Sequence, residues 1–253
     1  MANVTSHDPG AFCWIELATT DPTAARAFYG DLFGWTVQEH NMGEMGFYYI
    51  FQKKDRDAAA MYQIGGPTAG MPPNWTTYIS TDNVDQSTEK ARSLGATIIG
   101  GPFDVNENGR MSMVTDPQGA TFCLWQKKNT AGVEINNESG TLCWNELQAR
   151  NLDVARDFYT QLCGWTMKVT PDYSEIHLGG RGIGGMMQSM APEGVPSYWM
   201  PYFMVDDCDA TTKLAEGKGA RVIVQPMEIE KVGRFSVIAD PQGAVFSVIR
   251  ITM

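Results

Sequence analysis

The sequence of 253 residues repeats itself, and the repeat limits the folds open to it more than any other feature. Phe12-Cys13-Trp14-Ile15-Glu16-Leu17 returns 130 residues on as Leu142-Cys143-Trp144-Asn145-Glu146-Leu147. Ala25, Arg26, Phe28, Tyr29, Leu32, Gly34, Trp35 and Thr36 keep that register with Ala155, Arg156, Phe158, Tyr159, Leu162, Gly164, Trp165 and Thr166. After an indel the spacing is 124. Trp75 and Tyr78 match Trp199 and Tyr202, Gly109-Arg110 matches Gly233-Arg234, and Asp116-Pro117-Gln118-Gly119-Ala120 matches Asp240-Pro241-Gln242-Gly243-Ala244. The chain is thus expected to form module one over residues 10–127 and module two over 140–252, with 128–139 as a linker.

Each module divides again. A residue able to cap a helix N-terminus precedes a glycine able to close it at Asp21 and Gly34, Asp82 and Gly95, Asn151 and Gly164, and Asp206 and Gly219. Between them run patterns such as Ala24, Ala25, Phe28, Tyr29 and Leu32, whose spacing gives one apolar helix face. A strand-like run precedes each helix, and two or three follow, rich in β-branched and aromatic residues. The expected class is α+β, with four βαβββ units in two modules.

Composition narrows the function. The formal charge is −10 and no basic cluster occurs, so nucleic acid is not expected as a partner. No apolar run approaches the roughly 20 residues of a membrane span, and the start has no signal-peptide pattern, which points to a soluble, cytoplasmic protein. Five cysteines without a CxxC pair suggest neither a disulfide framework nor a zinc knuckle.

Alternation along the strands sorts side chains between two faces. Cys13, Ile15 and Leu17 are expected under the helices, leaving Trp14 and Glu16 opposite. Arg110 and Ser112 are assigned to that opposite face, with Met111 and Met113 on the helix side; Tyr78, Cys123 and Trp125 join the Glu16 face. Module two repeats the set as Trp144, Glu146, Tyr202 and Arg234. Arg110 and Arg234 are the expected partners of the two glutamates, because an ion buried alone costs several kcal/mol. Trp75 and Trp199 are placed either at the edge of this face or between the modules.

The WxEL first strand, the FYxxLFGW helix end, the D(N/D)xD helix start and the closing DPQGA together resemble the vicinal oxygen chelate superfamily of glyoxalase I, bleomycin-resistance proteins and extradiol dioxygenases. The resemblance covers nearly the whole chain. It implies curved mixed sheets, helices on one face, and ligands bound in the cup on the other. It also implies metal ligands at four places per module. Three of these hold Trp14, Thr76 and Cys123 in module one, and Trp144, Met200 and Ser247 in module two; the fourth, a glutamate, is missing, since 58–70 and 182–192 contain no acid. Of the three histidines, His7 and His40 fall in tail or loop contexts and His177 in a strand. No metal and no cofactor is therefore expected, with a divalent ion held atypically by Glu16 or Glu146 as the exception.

The leading expectation is a small-molecule binder whose ligand-binding walls are Trp14, Trp75, Tyr78, Arg110, Trp125, Trp144, Trp199, Tyr202 and Arg234. The alternatives are a lactoylglutathione-lyase-type enzyme on a reactive carbonyl, with Glu16 and Glu146 as catalytic bases, and an interaction protein with filled cups. The repeat fits a monomer with an internal pseudo-dimer, or a homodimer. Gly180-Arg181-Gly182-Ile183-Gly184-Gly185 satisfies GxGxxG, but no helix pattern follows it, so it is assigned to a strand connection. DPQG is assigned to a turn.

Overall fold

The computed structural model describes residues 4–43 and 46–252. Module one runs β1 (Phe12–Thr19), α1 (Pro22–Phe33), β2 (Thr36–Asn41), β3 (Phe47–Lys53), β4 (Arg56–Gln63), β5 (Asn74–Ser80), α2 (Val84–Ser93), β6 (Thr97–Val105), β7 (Gly109–Thr115) and β8 (Thr121–Lys127). Module two runs β9 (Leu142–Ala149), α3 (Leu152–Cys163), β10 (Thr166–Val169), β11 (Tyr173–Leu178), β12 (Arg181–Gln188), β13 (Tyr198–Met204), α4 (Cys208–Gly217), β14 (Arg221–Ile229), β15 (Gly233–Ala239) and β16 (Val245–Ile251). These are the four βαβββ units.

Each module closes its own eight-stranded mixed sheet, in the orders β2-β3-β4-β1-β5-β8-β7-β6 and β10-β11-β12-β9-β13-β16-β15-β14. Within a unit the first and last strands run parallel, and β1 meets β5 antiparallel as β9 meets β13. Helices start where short acceptors can take the first free amides. Asp21 accepts from Ala24 N, and Asn151 from Asp153 N and Val154 N, and both helices end on a left-handed glycine, Gly34 and Gly164. In the second units the cap lies one residue later than expected, at Asn83 and Asp207 instead of Asp82 and Asp206, because these residues adopt the extended backbone that aims the side chain at the amide three residues on.

The modules pack helix face to helix face. One shared core joins α1 residues Ala25, Phe28, Tyr29 and Phe33 with Phe203, Phe246 and Val248 of module two. A second joins Phe122 and Leu124 of module one with Phe158, Tyr159 and Trp165. Polar links cross this boundary in pairs. Tyr29 donates to Asp240 Oδ2 (2.8 Å) and Tyr159 to Asp116 Oδ2 (3.1 Å); the Trp35 indole donates to Gly140 O and that of Trp165 to Gly10 O, both at 2.7 Å. The other carboxylate oxygen of each aspartate accepts amides of its own DPQG turn. The motif is therefore a turn and also half of an inter-module latch.

Trp75 and Trp199 belong to this boundary and not to the cups. Both are 5% exposed, and they donate to Tyr29 (3.1 Å) and Tyr159 (2.9 Å). Their strands begin on the helix side, so alternation carries them into the shared core. Gly179 and Gly180 turn the chain between β11 and β12 at positive φ, the strand connection assigned from sequence. His40 lies in β2, not in a loop.

Candidate functional site

Helices cover one face of each sheet; the opposite face, where the resemblance places a cup, carries its own cluster of buried residues from a single half of the chain. At the centre of each cup, a first-strand glutamate is held by tyrosine. Glu16 Oε2 accepts from Tyr48 OH (2.6 Å), Oε1 accepts from Tyr78 OH (3.1 Å), and Trp14 Nε1 donates to Tyr48 OH (3.2 Å). In module two Glu146 Oε2 accepts from Tyr173 OH (3.0 Å), Oε1 accepts from Tyr202 OH (2.8 Å), and Trp144 Nε1 donates to Tyr173 OH (3.0 Å). Gln148, the counterpart of Ala18, adds a third donor to the Glu146 carboxylate, on Oε1 at 2.8 Å.

Tyr48 and Tyr173 had not been singled out from the sequence. A further indel shifts the spacing to 125 across β3 and β11. Following the repeat at that spacing pairs Tyr48 with Tyr173, Arg56 with Arg181 and Met61 with Met186, so the signal was present.

The arginines are elsewhere. Arg110 donates from Nε and Nη2 to Asp85 in the first turn of α2, both at 2.9 Å, and Arg234 donates likewise to Asp209 of α4 at 2.6 and 2.8 Å. The β7 assignment is thus inverted. Val114 packs on Val84 and Ala91 under α2, parity carries Ser112 and Arg110 to that side, and Met111 and Met113 line the cup. Met suits either face, so the pattern alone had no anchor. Cys13 also lies in the cup cluster beside Trp14, because a bulge between Phe12 and Trp14 breaks the alternation of β1.

Among the described residues, neither glutamate enters an ion pair. Burial pushes the Glu16 and Glu146 carboxyls up from the ordinary range, and the tyrosine hydrogen bonds only partly offset it. Burial and the adjacent carboxylate hold Tyr48, Tyr173 and Tyr202 far above the usual phenol range, so they remain donors. Tyr62, nearer the rim, is pushed up to about 12, first by burial and then by Glu16. A carboxylate offers about four acceptor positions. The protein's hydrogen bonds fill two at Glu16 and three at Glu146, which leaves places for a ligand's donor.

The positions that the family uses for metal do not fit an ion here. The indoles of Trp14 and Trp144 offer only N–H, both already donated. Cys123 is fully buried with its thiol pushed well up by desolvation, and Met200 Sδ accepts from Ser247 Oγ at 3.5 Å. Among the described residues no three His, Cys, Asp or Glu side chains gather as a ligand set. Two open grooves lie outside the cups. One, of about 670 Å³, follows the outer surface of α3 past Arg156 and Thr160, and one of about 320 Å³ lies where α1, the linker and α4 meet. Neither gathers chemistry comparable to the glutamate centres.

Known proteins share this architecture. The family model described as Glyoxalase/Bleomycin resistance protein/Dioxygenase superfamily matches residues 11–124, and one described as a Glyoxalase-like domain matches 144–249. The "Putative glyoxylase CFP32" of Mycobacterium tuberculosis is 41% identical over 94% of this chain and 93% of its own. The anthracycline biosynthesis protein DnrV of Streptomyces peucetius is 32% identical over 98% and 96%. In fold, a Mn(II)-bound glyoxalase from Novosphingobium aromaticivorans superposes with a TM-score of 0.67 at 14% identity, covering 96% of this chain and 82% of that one. The 2,3-dioxygenase LapB from Pseudomonas sp. KL28 superposes at 0.66 and 13% identity, over 100% and 94%. Matched in both halves and along nearly its full length, the chain belongs to the glyoxalase/bleomycin resistance/dioxygenase superfamily.

Proposed function

We propose that the protein binds a small organic molecule in a sheet cup, anchored by a buried carboxylate where metal-dependent relatives use an ion. The observation that carries this reading is the repeated Trp–Tyr–Glu–Tyr centre, a carboxylate without a cationic partner among the described residues and with acceptor positions left over. Filling a cup with Leu and Val would avoid burying an ionisable group at all. The relatives named for anthracycline biosynthesis make a flat aromatic molecule the first class to test. The helix faces of the two modules cover one another, so a single copy suffices for binding. All five cysteines are free, and a reducing compartment such as the cytoplasm is part of this proposal.

Doxorubicin, an anthracycline, titrated into chelator-treated protein and followed by its fluorescence, tests the reading. Saturable binding that persists without metal is expected, and a chelated protein that binds neither doxorubicin nor a simpler aromatic probe overturns the proposal. The relative named as a glyoxylase favours a second reading, in which Glu16 or Glu146 removes a proton from a reactive carbonyl adduct while a tyrosine stabilises the oxyanion. Consumption of methylglyoxal with thiol by the chelated protein, lost in Glu146→Gln and Glu16→Gln, is its signature.

A further inference from the structure

We infer that the cup of module two is the working site and that its ligand is an aromatic molecule carrying an ammonium group, an inference that rests on the binding reading above. Module one's cup is stoppered. Trp125 lies flat over Gly109, where an added Cβ would stand 2.3 Å from the ring, and its indole donates to Thr130 O at 3.0 Å. Val133, 1% exposed, packs into the same cluster as Trp14, Tyr78 and Cys123, with its amide on Cys13 O at 2.8 Å. The linker thus serves as a plug.

Module two differs at each of these places. Ile249 stands where Trp125 stands, and Trp144 is partly exposed while Trp14 is 7% exposed. Beside Trp144 are two groups that module one lacks: β11 carries Glu175 and His177 where β3 carries Ile50 and Gln52, with the same partners across the sheet. Gly182 makes room for them. A Cβ there would meet Glu175 Oε1 at 2.6 Å and the Trp144 ring at 3.6 Å. His177 Nε2 lies 3.2 Å from Glu175 Oε1, yet is not aligned for a hydrogen bond and is left buried without one. Its Nδ1 faces Gly180 O at 3.4 Å. Lys168 Nζ also lies 3.9 Å from Glu175, on an exposed side chain.

Two carboxylates at different depths, Glu146 on the floor and Glu175 at the rim, therefore flank one partly exposed indole. Acceptors close to one aromatic ring suit a cation attached to a flat ring, through charge-assisted hydrogen bonds and cation–π attraction. The net charge of −10 draws such a ligand in.

Calorimetric titration with naphthylmethylamine and its neutral isostere naphthylmethanol tests the class. Photolabelling with azidobenzylamine followed by peptide mapping tests the cup. We expect the amine to bind at least about tenfold more tightly than the alcohol, and Glu175→Gln and Glu146→Gln each to weaken the amine about tenfold. Glu175 is at the rim, so its variant remains informative if Glu146→Gln fails to fold. The label is expected within residues 140–252. Equal binding of amine and alcohol, unchanged affinity in both variants, or label confined to module one overturns the inference. If doxorubicin binds while any of these occurs, only this inference falls; if neither doxorubicin nor the amine binds, the binding reading falls with it.

Discussion

Where the modules meet, the two halves are near copies. Tyr29 reaches Asp240 and Tyr159 reaches Asp116, Trp35 reaches Gly140 and Trp165 reaches Gly10, Trp75 rests on Tyr29 and Trp199 on Tyr159. In the cups, by contrast, the glutamate, its two tyrosines, the tryptophan and a first-strand cysteine, Cys13 or Cys143, recur. Around them Ala18 gives way to Gln148, Ile50 to Glu175, Gln52 to His177, Cys123 to Ser247 and Trp125 to Ile249. A packed boundary constrains both sides at once, since each residue fills space left by the other module. A cup faces solvent, so each can change alone. The difference separates what holds this molecule together from what it uses.

The sharpest way to break that division is Phe203→Ala. Phe203 is fully buried against Phe33, Trp35, Trp75 and Phe246, contributed by both modules. A loss of about 3–5 kcal/mol is expected, with both modules unfolding in one urea transition. Separate transitions would show that the core is not shared in energetic terms. Next, Tyr29→Phe and Tyr159→Phe each leave a buried aspartate oxygen without its donor, and each is expected to cost about 1–3 kcal/mol. Equal costs in urea denaturation support the pseudo-symmetry; costs differing by more than about twofold contradict it.

Acidification probes the buried carboxyls of both regions. Glu16, Glu146, Asp116 and Asp240 are all held above their ordinary values, chiefly by burial. The folded state therefore keeps these protons to a higher pH than the unfolded chain. Their stabilisation is complete below the ordinary carboxylate range and is lost as pH rises through the folded values. A higher urea midpoint is expected at about pH 5.5 than at about pH 8, with a flatter dependence in Glu146→Gln. Asp85, Asp104, Asp209 and Glu138 are shifted down by their Arg and Lys partners, so their contribution is lost only at lower pH, outside this window. The smallest effect belongs to Arg234→Ala. Its Asp209 partner lies on the helix side and both are solvent-accessible. Ligand affinity is expected to stay as in the unaltered protein, with a slight drop in Tm at low salt, and a large loss of affinity would return Arg234 to the cup.

The repeat made the fold legible, because a WxEL strand, a capped FYxxLFGW helix and a DPQGA turn recur at fixed separations and each restricts the backbone locally. Glu16, Glu146, Tyr78 and Tyr202 were legible for the same reason, on strands whose alternation is anchored by fully buried Ile15, Leu17 and Ile79. Arg110 and Arg234 were misplaced because β7 and β15 alternate between methionine or phenylalanine and polar residues, either of which can face a polar cup. Nothing local shows which of several nearby acids an arginine reaches. Tyr48 and Tyr173 are hard to read from the sequence because indels on both sides break the register. The latch role of DPQG was hidden for another reason: its partners lie 211 and 43 residues away.

The core that receives α1 has a consequence for synthesis. Phe28, Tyr29 and Phe33 pack against Phe246 and Val248, which lie in the last strand. As the ribosome releases the chain, the first helix can pack on Ile15, Phe51 and Trp75 of its own module but lacks the module-two side of its seat until β16 has been made. The core of module one is completed only with module two, and a ribosome stalled short of β16 would leave the apolar face of α1 partly uncovered for a chaperone to hold.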